Sequence, residues 1–201
     1  MPNAYAPVKR LLDLLLAGPA LVVLAPLLLG LAIAVKASSP GPALFRQERM
    51  GRGGVPFVLL KFRSMRQGGG GPAVTAAGDV RITPVGQFLR RYKLDELPQL
   101  LNVIRGDMSI VGPRPEVRRY VEAFPAEYAR VLSIRPGLTD IAAVAYRDEE
   151  GILAAAPDPE AAYLREVLPR KLALYEQYLS TMSLRTDLRL ILQTIVVILR
   201  A

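Results

Sequence analysis

Two carboxylates stand side by side in "KLDELPQLLN", residues 93–102: Asp95 and Glu96, with leucines around them and Pro98 close behind. Arg90 and Arg91 precede Asp95 by five and four residues, so one helical turn brings a guanidinium near the acid. "GDMSIVGPRPE", residues 106–116, then supplies Asp107, Arg114 and Glu116. Prolines on both sides of Arg114 hold it in a stiff extended turn, because proline fixes its own φ and biases the residue before it. Arg135 sits in a second such turn, "RPG" at 135–137. A guanidinium on a stiff turn suits a phosphate held in a fixed place. Carboxylates repel phosphate unless they hold a cation that neutralises its oxygens, or attack phosphorus to give an acyl phosphate. The set therefore reads as phosphoryl-transfer chemistry. One acid attacks, one handles metal or proton, and arginines offset charge on the transferring group. The competing reading is a structural knot of ion pairs at a helix joint.

Composition narrows the chemistry. The 201 residues include no histidine and no cysteine, which removes thiol nucleophiles, disulfides, the usual zinc sites and His-dependent catalytic relays. A metal held by the remaining acids would be hard, and magnesium is the first choice. Half of the residues are apolar, and the formal net charge is +8. That combination points to a partner both anionic and apolar, such as a phospholipid surface or a lipid phosphate; no nucleic-acid partner is expected. Only five of the 26 basic residues are lysines. Phosphate recognition and GC-rich coding explain the arginine excess equally well.

The elements that must position these groups begin with an oily segment, "LLDLLLAGPALVVLAPLLLGLAIAV", residues 11–35, whose only charge is Asp13. As one straight helix it would measure roughly 37 Å, enough to span a bilayer. Lys9 and Arg10 precede it, and Lys36, Arg46, Arg49 and Arg52 follow. Positive charge on both flanks suggests that both ends stay cytoplasmic. Pro26 lies mid-segment, after Pro19, and a proline inside a helix removes a hydrogen bond and clashes with the preceding turn. A re-entrant helix-break-helix is favoured over a kinked span, with Asp13 near the headgroups. "ALFRQER" and "VPFVLLKFR" read as two strands around a glycine turn. "RQGGGGPAVTAAGD", residues 66–79, is a loop, either a lid or a tolerated insertion. Thr83 and Pro84 start a helix expected to reach about 95, and Pro98 starts a second, about 97–105, ended by Gly106. The dyad then falls at the joint, near a helix N-terminus that favours negative charge. Residues 115–132 read as a helix broken near Pro125, and "IRPGLTDIAAVAYRDEE" as a turn followed by an extended segment. A helix starts at Asp158 with a break expected at Pro169. "SLRTDLRLILQTIVVILRA" is an amphipathic helix with a Leu188, Ile191, Leu192, Ile195, Leu199 stripe, suited equally to a membrane surface or the core.

With these residues in hand, the sequence resembles the bacterial sugar transferase family, the monotopic phosphoglycosyl transferases. The likeness runs over "KRLLDLLLAGPALVVLAPLLL", "GPALFRQERMG", "KFRSM", "RITPVGQFLRRYKLDELPQLLNVIRGDMSIVGPRPE" and "RPGLTD", nearly the whole chain. It implies transfer of a sugar phosphate from a UDP-sugar to a polyprenol phosphate, usually undecaprenyl phosphate, with release of UMP. It also implies magnesium and a re-entrant membrane hairpin. By the match Asp95 is the nucleophile that becomes phosphoglycosylated and also a magnesium ligand, and Glu96 is its acidic partner. Arg90, Pro113-Arg114-Pro115 and Lys61 of "KFRSM" fall on phosphate- or substrate-binding positions, and Arg147 on the family's later arginine. Two segments depart from the pattern. The family's Ser-Pro at the hairpin break is Ala25-Pro26 here, and its "RPGITG" reads "RPGLTD". The likeness is to the family's minimal form, without a large N-terminal membrane domain.

The expected fold is mixed α/β and mostly helical. Residues 1–38 form a re-entrant membrane hairpin that breaks at Pro26. Residues 39–201 form a cytosolic catalytic domain with a small β-hairpin and interfacial amphipathic helices. The expected activity is the first membrane step of glycoconjugate synthesis on the cytosolic face of a bacterial inner membrane. Its partners are the UDP-sugar donor, the polyprenol phosphate acceptor, inner-membrane lipids and a possible second copy. The alternative is a non-catalytic membrane scaffold that binds anionic lipids and glycosyltransferases.

Overall fold

Residues 5–66, 75, 78–146 and 149–199 are described by a computed structural model of the protein. Most of the loop read as either a lid or a tolerated insertion, and Arg147, lie outside the described residues.

The oily segment forms one helix, α1 (Ala6–Ser38), with proline in its first turn and Lys36 in its last, where each suits the helix end. Pro19 and Pro26 both lie inside it, so the expected separation into two helices at Pro26 does not occur. Each proline removes one backbone bond, and packing along the helix offsets that loss. Ala17, Ala20, Leu21 and Leu24 pack with Leu59, Leu100 and Val103. Leu28, Leu31, Ala32 and Val35 pack with Phe62 and Leu89. The other faces carry exposed Leu15, Val22, Val23, Leu29 and Ile33. The helix is long and apolar enough to cross a membrane. Asp13 departs from expectation. It is buried, and accepts hydrogen bonds from Ser109 Oγ and the Ile110 N–H, both at 2.8 Å. A charge in an apolar segment is costly without such donors.

β1 (Leu44–Met50) and β2 (Pro56–Phe62) form the expected antiparallel hairpin, with Leu44 opposite Phe62 and Met50 opposite Pro56. α2 (Pro84–Arg91) starts as expected: the Thr83 hydroxyl accepts from the Gly86 N–H at 2.9 Å, and Pro84 follows. It ends earlier than expected, because Lys93 takes a left-handed φ of 54°. A separate 3₁₀ turn, Leu94–Glu96, then carries the dyad. α3 (Gln99–Arg105) follows Pro98 and stops at Gly106, whose φ is 92°.

β3 (Ser109–Val111) and β4 (Gly137–Thr139) are parallel, with Val111 opposite Thr139. Their backbones meet where a Cβ on Gly137 would come within 2.1 Å of the Gly112 nitrogen. α4 (Arg118–Ala123) and α5 (Pro125–Val131) meet at the expected proline break. The segment expected to be extended after the Arg-Pro-Gly turn is so only in β4. Asp140 then caps α6 (Ile141–Ala145), accepting from the Ala143 N–H at 2.7 Å. α7 (Glu149–Ala154) leads to α8 (Pro159–Ala162), capped by Asp158 as expected. No break occurs at Pro169. A π turn, Tyr163–Val167, runs into α9 (Leu168–Thr181), and the proline sits in the first turn of α9, where a missing N–H costs little. In α10 (Leu184–Leu199), Leu190 and Ile191 join the core while Leu188, Leu192, Ile195 and Leu199 are exposed.

The start of α1 is locked to the start of α10. Lys9 Nζ lies 2.5 Å from Asp187 Oδ2, Tyr178 donates to Asp187 Oδ1 at 2.7 Å, and Tyr5 donates to Oδ2 at 2.8 Å. Replacing Asp187 with alanine would leave the buried Lys9 ammonium without its counter-charge. The expected cost is about 3–5 kcal/mol, read as a lowered unfolding midpoint of the detergent-solubilised protein. An unchanged midpoint would show that this cluster does not hold the two helices together.

Candidate active site

The dyad is pulled inward by its leucine. Leu94 packs with Val35, Phe62 and Leu89, and the tight turn it begins carries Asp95 and Glu96 into burial, 6% and 8% exposed. Two adjacent carboxylates in such a place need cations. Arg114, from the stiff turn after β3, grips Glu96 with both terminal nitrogens, Nη2 to Oε1 at 2.5 Å and Nη1 to Oε2 at 3.3 Å. Lys61 of β2 places Nζ 3.7 Å from Glu96 Oε1.

Electrostatics then divide the acids. Burial pushes the Glu96 carboxyl up, but Arg114 and then Lys61 more than offset it and hold it well below the usual carboxylate range. Glu96 in turn raises Arg114 well above its already high value. Burial, followed by the neighbouring Glu96, pushes Asp95 up against the pull of Lys61, Arg90 and Lys93. Asp95 Oδ1 is buried and has no hydrogen-bond partner. Glu96 is thus spent on its cations, while Asp95 keeps a lone pair uncommitted. Lys61 is itself pushed down to about 8, by burial first, with Glu96 opposing and Arg114 adding.

The other expected residues distribute unevenly. Arg90 is within electrostatic reach of Asp95 but bonds Glu150 at the start of α7. Arg135 is not brought to the dyad. Its Nε donates to the Gly106 carbonyl at 2.8 Å, at the far end of α3. The split lies in side-chain direction: the backbones meet, with the Gly137 N–H donating to the Pro113 carbonyl at 2.9 Å, while Arg114 turns to Glu96 and Arg135 to the end of α3. Arg147 lies outside the described residues, and Pro26 is part of α1.

The structure also brings up Asp140, Lys171 and Gln99, which carried no expectation, and gives Glu116 its partners. Asp140 follows β4 at the end of the pair that Arg114 leaves, and Arg114 and Lys171 both act on its buried carboxyl. Lys171, buried in α9, bonds Glu149 at 3.0 Å. Glu116 accepts from Arg49 at 3.1 Å and from the Tyr163 hydroxyl at 2.5 Å. Gln99, one turn after Asp95, is buried with Nε2 unpartnered. The signals were faint: an Asp before an apolar helical run for Asp140, and a lone lysine among leucines for Lys171.

No cluster of three or more Asp, Glu, His or Cys side chains suited to a metal occurs among the described residues. Magnesium nevertheless needs only one or two carboxylates where substrate phosphates and water complete its octahedron. The uncommitted oxygen of Asp95 fits that role.

The model of the family described as bacterial sugar transferase matches residues 4–201. The chain belongs to the bacterial sugar transferase family. It is 44% identical over 192 residues to a UDP-glucose:undecaprenyl-phosphate glucose-1-phosphate transferase of Caulobacter vibrioides, covering 93% of this chain and 68% of that protein. It is 43% identical over 147 residues to a UDP-N-acetylgalactosamine-undecaprenyl-phosphate N-acetylgalactosaminephosphotransferase of Aeromonas hydrophila, covering 71% of this chain and 35% of that protein. It is 39% identical over 198 residues to the exopolysaccharide production protein PSS of Rhizobium leguminosarum, covering 94% and 93%. The chain thus spans about two thirds of the first relative's length and about a third of the second's.

In this bacterial sugar transferase, Lys61 is charged below and neutral above its lowered value of about 8. Catalysis that needs the ammonium is therefore expected to fall as pH rises through that value. Lys61→Arg, which stays charged throughout, is expected to move the fall to higher pH, as a pH–rate profile would show. A profile unaltered by the substitution would remove Lys61 from the site.

Proposed function

We propose that the chain moves a sugar 1-phosphate from a UDP-sugar to a polyprenol phosphate, undecaprenyl phosphate by analogy with its relatives, and releases UMP. One observation carries this reading: Glu96 is fully engaged by Arg114 and Lys61, while its buried neighbour Asp95 retains an unpartnered oxygen. Asp95 is then the nucleophile, because its Oδ1 is uncommitted while both oxygens of Glu96 are held by Arg114.

In the first step an Asp95 carboxylate oxygen attacks the β-phosphorus of the donor. The bond from that phosphorus to the oxygen bridging the two phosphates breaks, and UMP leaves with the electron pair. In the second step a phosphate oxygen of the polyprenol phosphate attacks the same phosphorus. The bond to Asp95 breaks, which regenerates the carboxylate and yields a polyprenyl diphosphate sugar. Burial favours the attack, since an incompletely solvated carboxylate with a raised pKa is the stronger nucleophile. Lys61, Arg90 and Arg114 supply positive charge for the phosphoryl oxygens. Magnesium held by Asp95 would, when bound, neutralise further charge on the diphosphate. The relatives named above differ in sugar, glucose in one and N-acetylgalactosamine in the other, so the sugar is left open.

The acceptor's chemistry favours the cytosolic face of the inner membrane, with α1 meeting lipid as one unbroken helix through its exposed apolar faces. Both ends of α1 are tied to the same domain. Lys9 meets Asp187 at one end, and Arg63 donates to the Val35 and Ser39 carbonyls at the other, at 3.3 and 2.6 Å. The exposed stripe of α10 suits the same lipid surface.

Incubating the intact protein with magnesium and a panel of UDP-sugars, without acceptor, is expected to add the mass of one hexose or N-acetylhexosamine phosphate. The gain should be absent in Asp95→Asn, and full activity in that variant would sink the assignment. Acceptor-dependent UMP release without any adduct would favour direct transfer, with Asp95 only holding metal. No UMP from any donor would favour the scaffold. For topology, Pro26→Cys should resist an impermeant thiol reagent applied from outside the cell; efficient labelling would indicate a true span.

A further inference from the structure

The first turns of α1 hold the two halves of the site in register. Asp13 accepts from Ser109 Oγ and the Ile110 N–H, both at 2.8 Å. These residues open β3, and Arg114 lies four residues past Ile110. β3 pairs with β4 alone in a two-stranded sheet, so Asp13 takes up its other edge. Arg10, three residues before Asp13 and on the same helix face, donates to the Val103 and Ile104 carbonyls at 2.6 and 2.9 Å. Those carbonyls belong to the last turn of α3, whose first turn follows the dyad. One face of one helix therefore grips the element that leaves Glu96 and the strand that leads to Arg114. Those two residues meet at 2.5 Å.

We infer that Asp13 is a positioning residue for the transfer: through β3 it sets where Arg114 meets the dyad, so the anchoring helix is part of the catalytic scaffold. The kinetic consequence rests on the function proposed above; the geometric one does not. Neither Asp13 nor Arg10 touches the reacting groups in this arrangement. Their effect travels through backbone, and a displacement of about 1 Å at a phosphate-facing guanidinium is enough to cost about a hundredfold in rate.

The test uses the full chain in detergent, with Asp13→Ala, Asp13→Asn and Ser109→Ala made alone and combined with Arg114→Lys. Asp13→Ala is expected to lower kcat for UMP release by about tenfold to a hundredfold. Asp13→Asn, which keeps an acceptor oxygen, should recover much of the rate. On the Arg114→Lys background, whose flexible ammonium depends less on the placement of its strand, the loss caused by Asp13→Ala should shrink to about threefold or less. Equal losses on both backgrounds, as a smaller folded fraction would give, overturn the inference. Ser109→Ala makes the same comparison should Asp13→Ala fail to fold. A second arm needs no turnover. Phenylglyoxal modification of Arg114, followed by peptide mass spectrometry, should speed up in Asp13→Ala. It should return toward the wild-type rate in Asp13→Asn, which keeps an acceptor oxygen. Unchanged Arg114 labelling in Asp13→Ala overturns the inference whatever the wild type catalyses. A responsive Arg114 in a protein that releases no UMP would uphold the positioning and overturn the proposed reaction.

Discussion

Two adjacent carboxylates removed from water repel each other and lose their hydration, so they persist only where cations reach them from elsewhere in the fold. Asp95 and Glu96 impose that constraint on this protein. The cations arrive from separate elements: Lys61 from β2, Arg114 from the turn after β3 and Arg90 from α2. Because the supply is asymmetric, the two acids acquire different characters. Glu96 is held ionised by a two-pronged guanidinium, and Asp95 is left raised by burial with one oxygen unpaired. A difference in charge environment between two adjacent carboxyl groups thus follows from which acid the arginine reaches.

That reach depends on a scaffold with very little sheet. A two-stranded hairpin, a three-residue parallel pair and short helices would not by themselves hold three cations around one turn. Buried charges elsewhere take up the load. Glu116 ties Arg49 of β1 to Tyr163 of the π turn, and Lys171 ties α9 to α7 through Glu149. Asp187 ties the last helix to Lys9 of the first. Each of these contacts joins elements far apart in sequence, and none is left to water alone. The polar network carries orientation, and the three apolar clusters carry most of the cohesion.

α1 serves both environments. One face is a packing surface that runs from Ala17 to Val35, and the other faces carry exposed Leu15, Val22, Val23, Leu29 and Ile33. Both ends of the helix are bound to the rest of the protein, through Lys9 to Asp187 and through Val35 and Ser39 to Arg63. The exposed stripe on α10 adds a second apolar surface to the same molecule.

Much of this was legible in the residues themselves. The hairpin, the Thr83 and Asp158 caps, the Gly106 stop, the Pro125 break and the placing of the dyad at a joint are local matters, set by proline, glycine, short polar caps and apolar spacing. The dyad and the Pro-Arg-Pro turn could be read together because each is a compact string with its own chemistry. Only the tertiary structure decided what depends on long-range pairing. It turned Asp13 from a headgroup neighbour into the edge partner of β3, and it pointed Arg114 to the dyad and Arg135 away from it although their backbones meet. It let α1 run through Pro26, because contacts with distant strands outweigh one lost hydrogen bond. It also chose Glu96 over Asp95 as the arginine's partner. A sequence displays the types of its charges; their partners depend on which chain segments the packing brings within a few ångströms, and no local pattern encodes that.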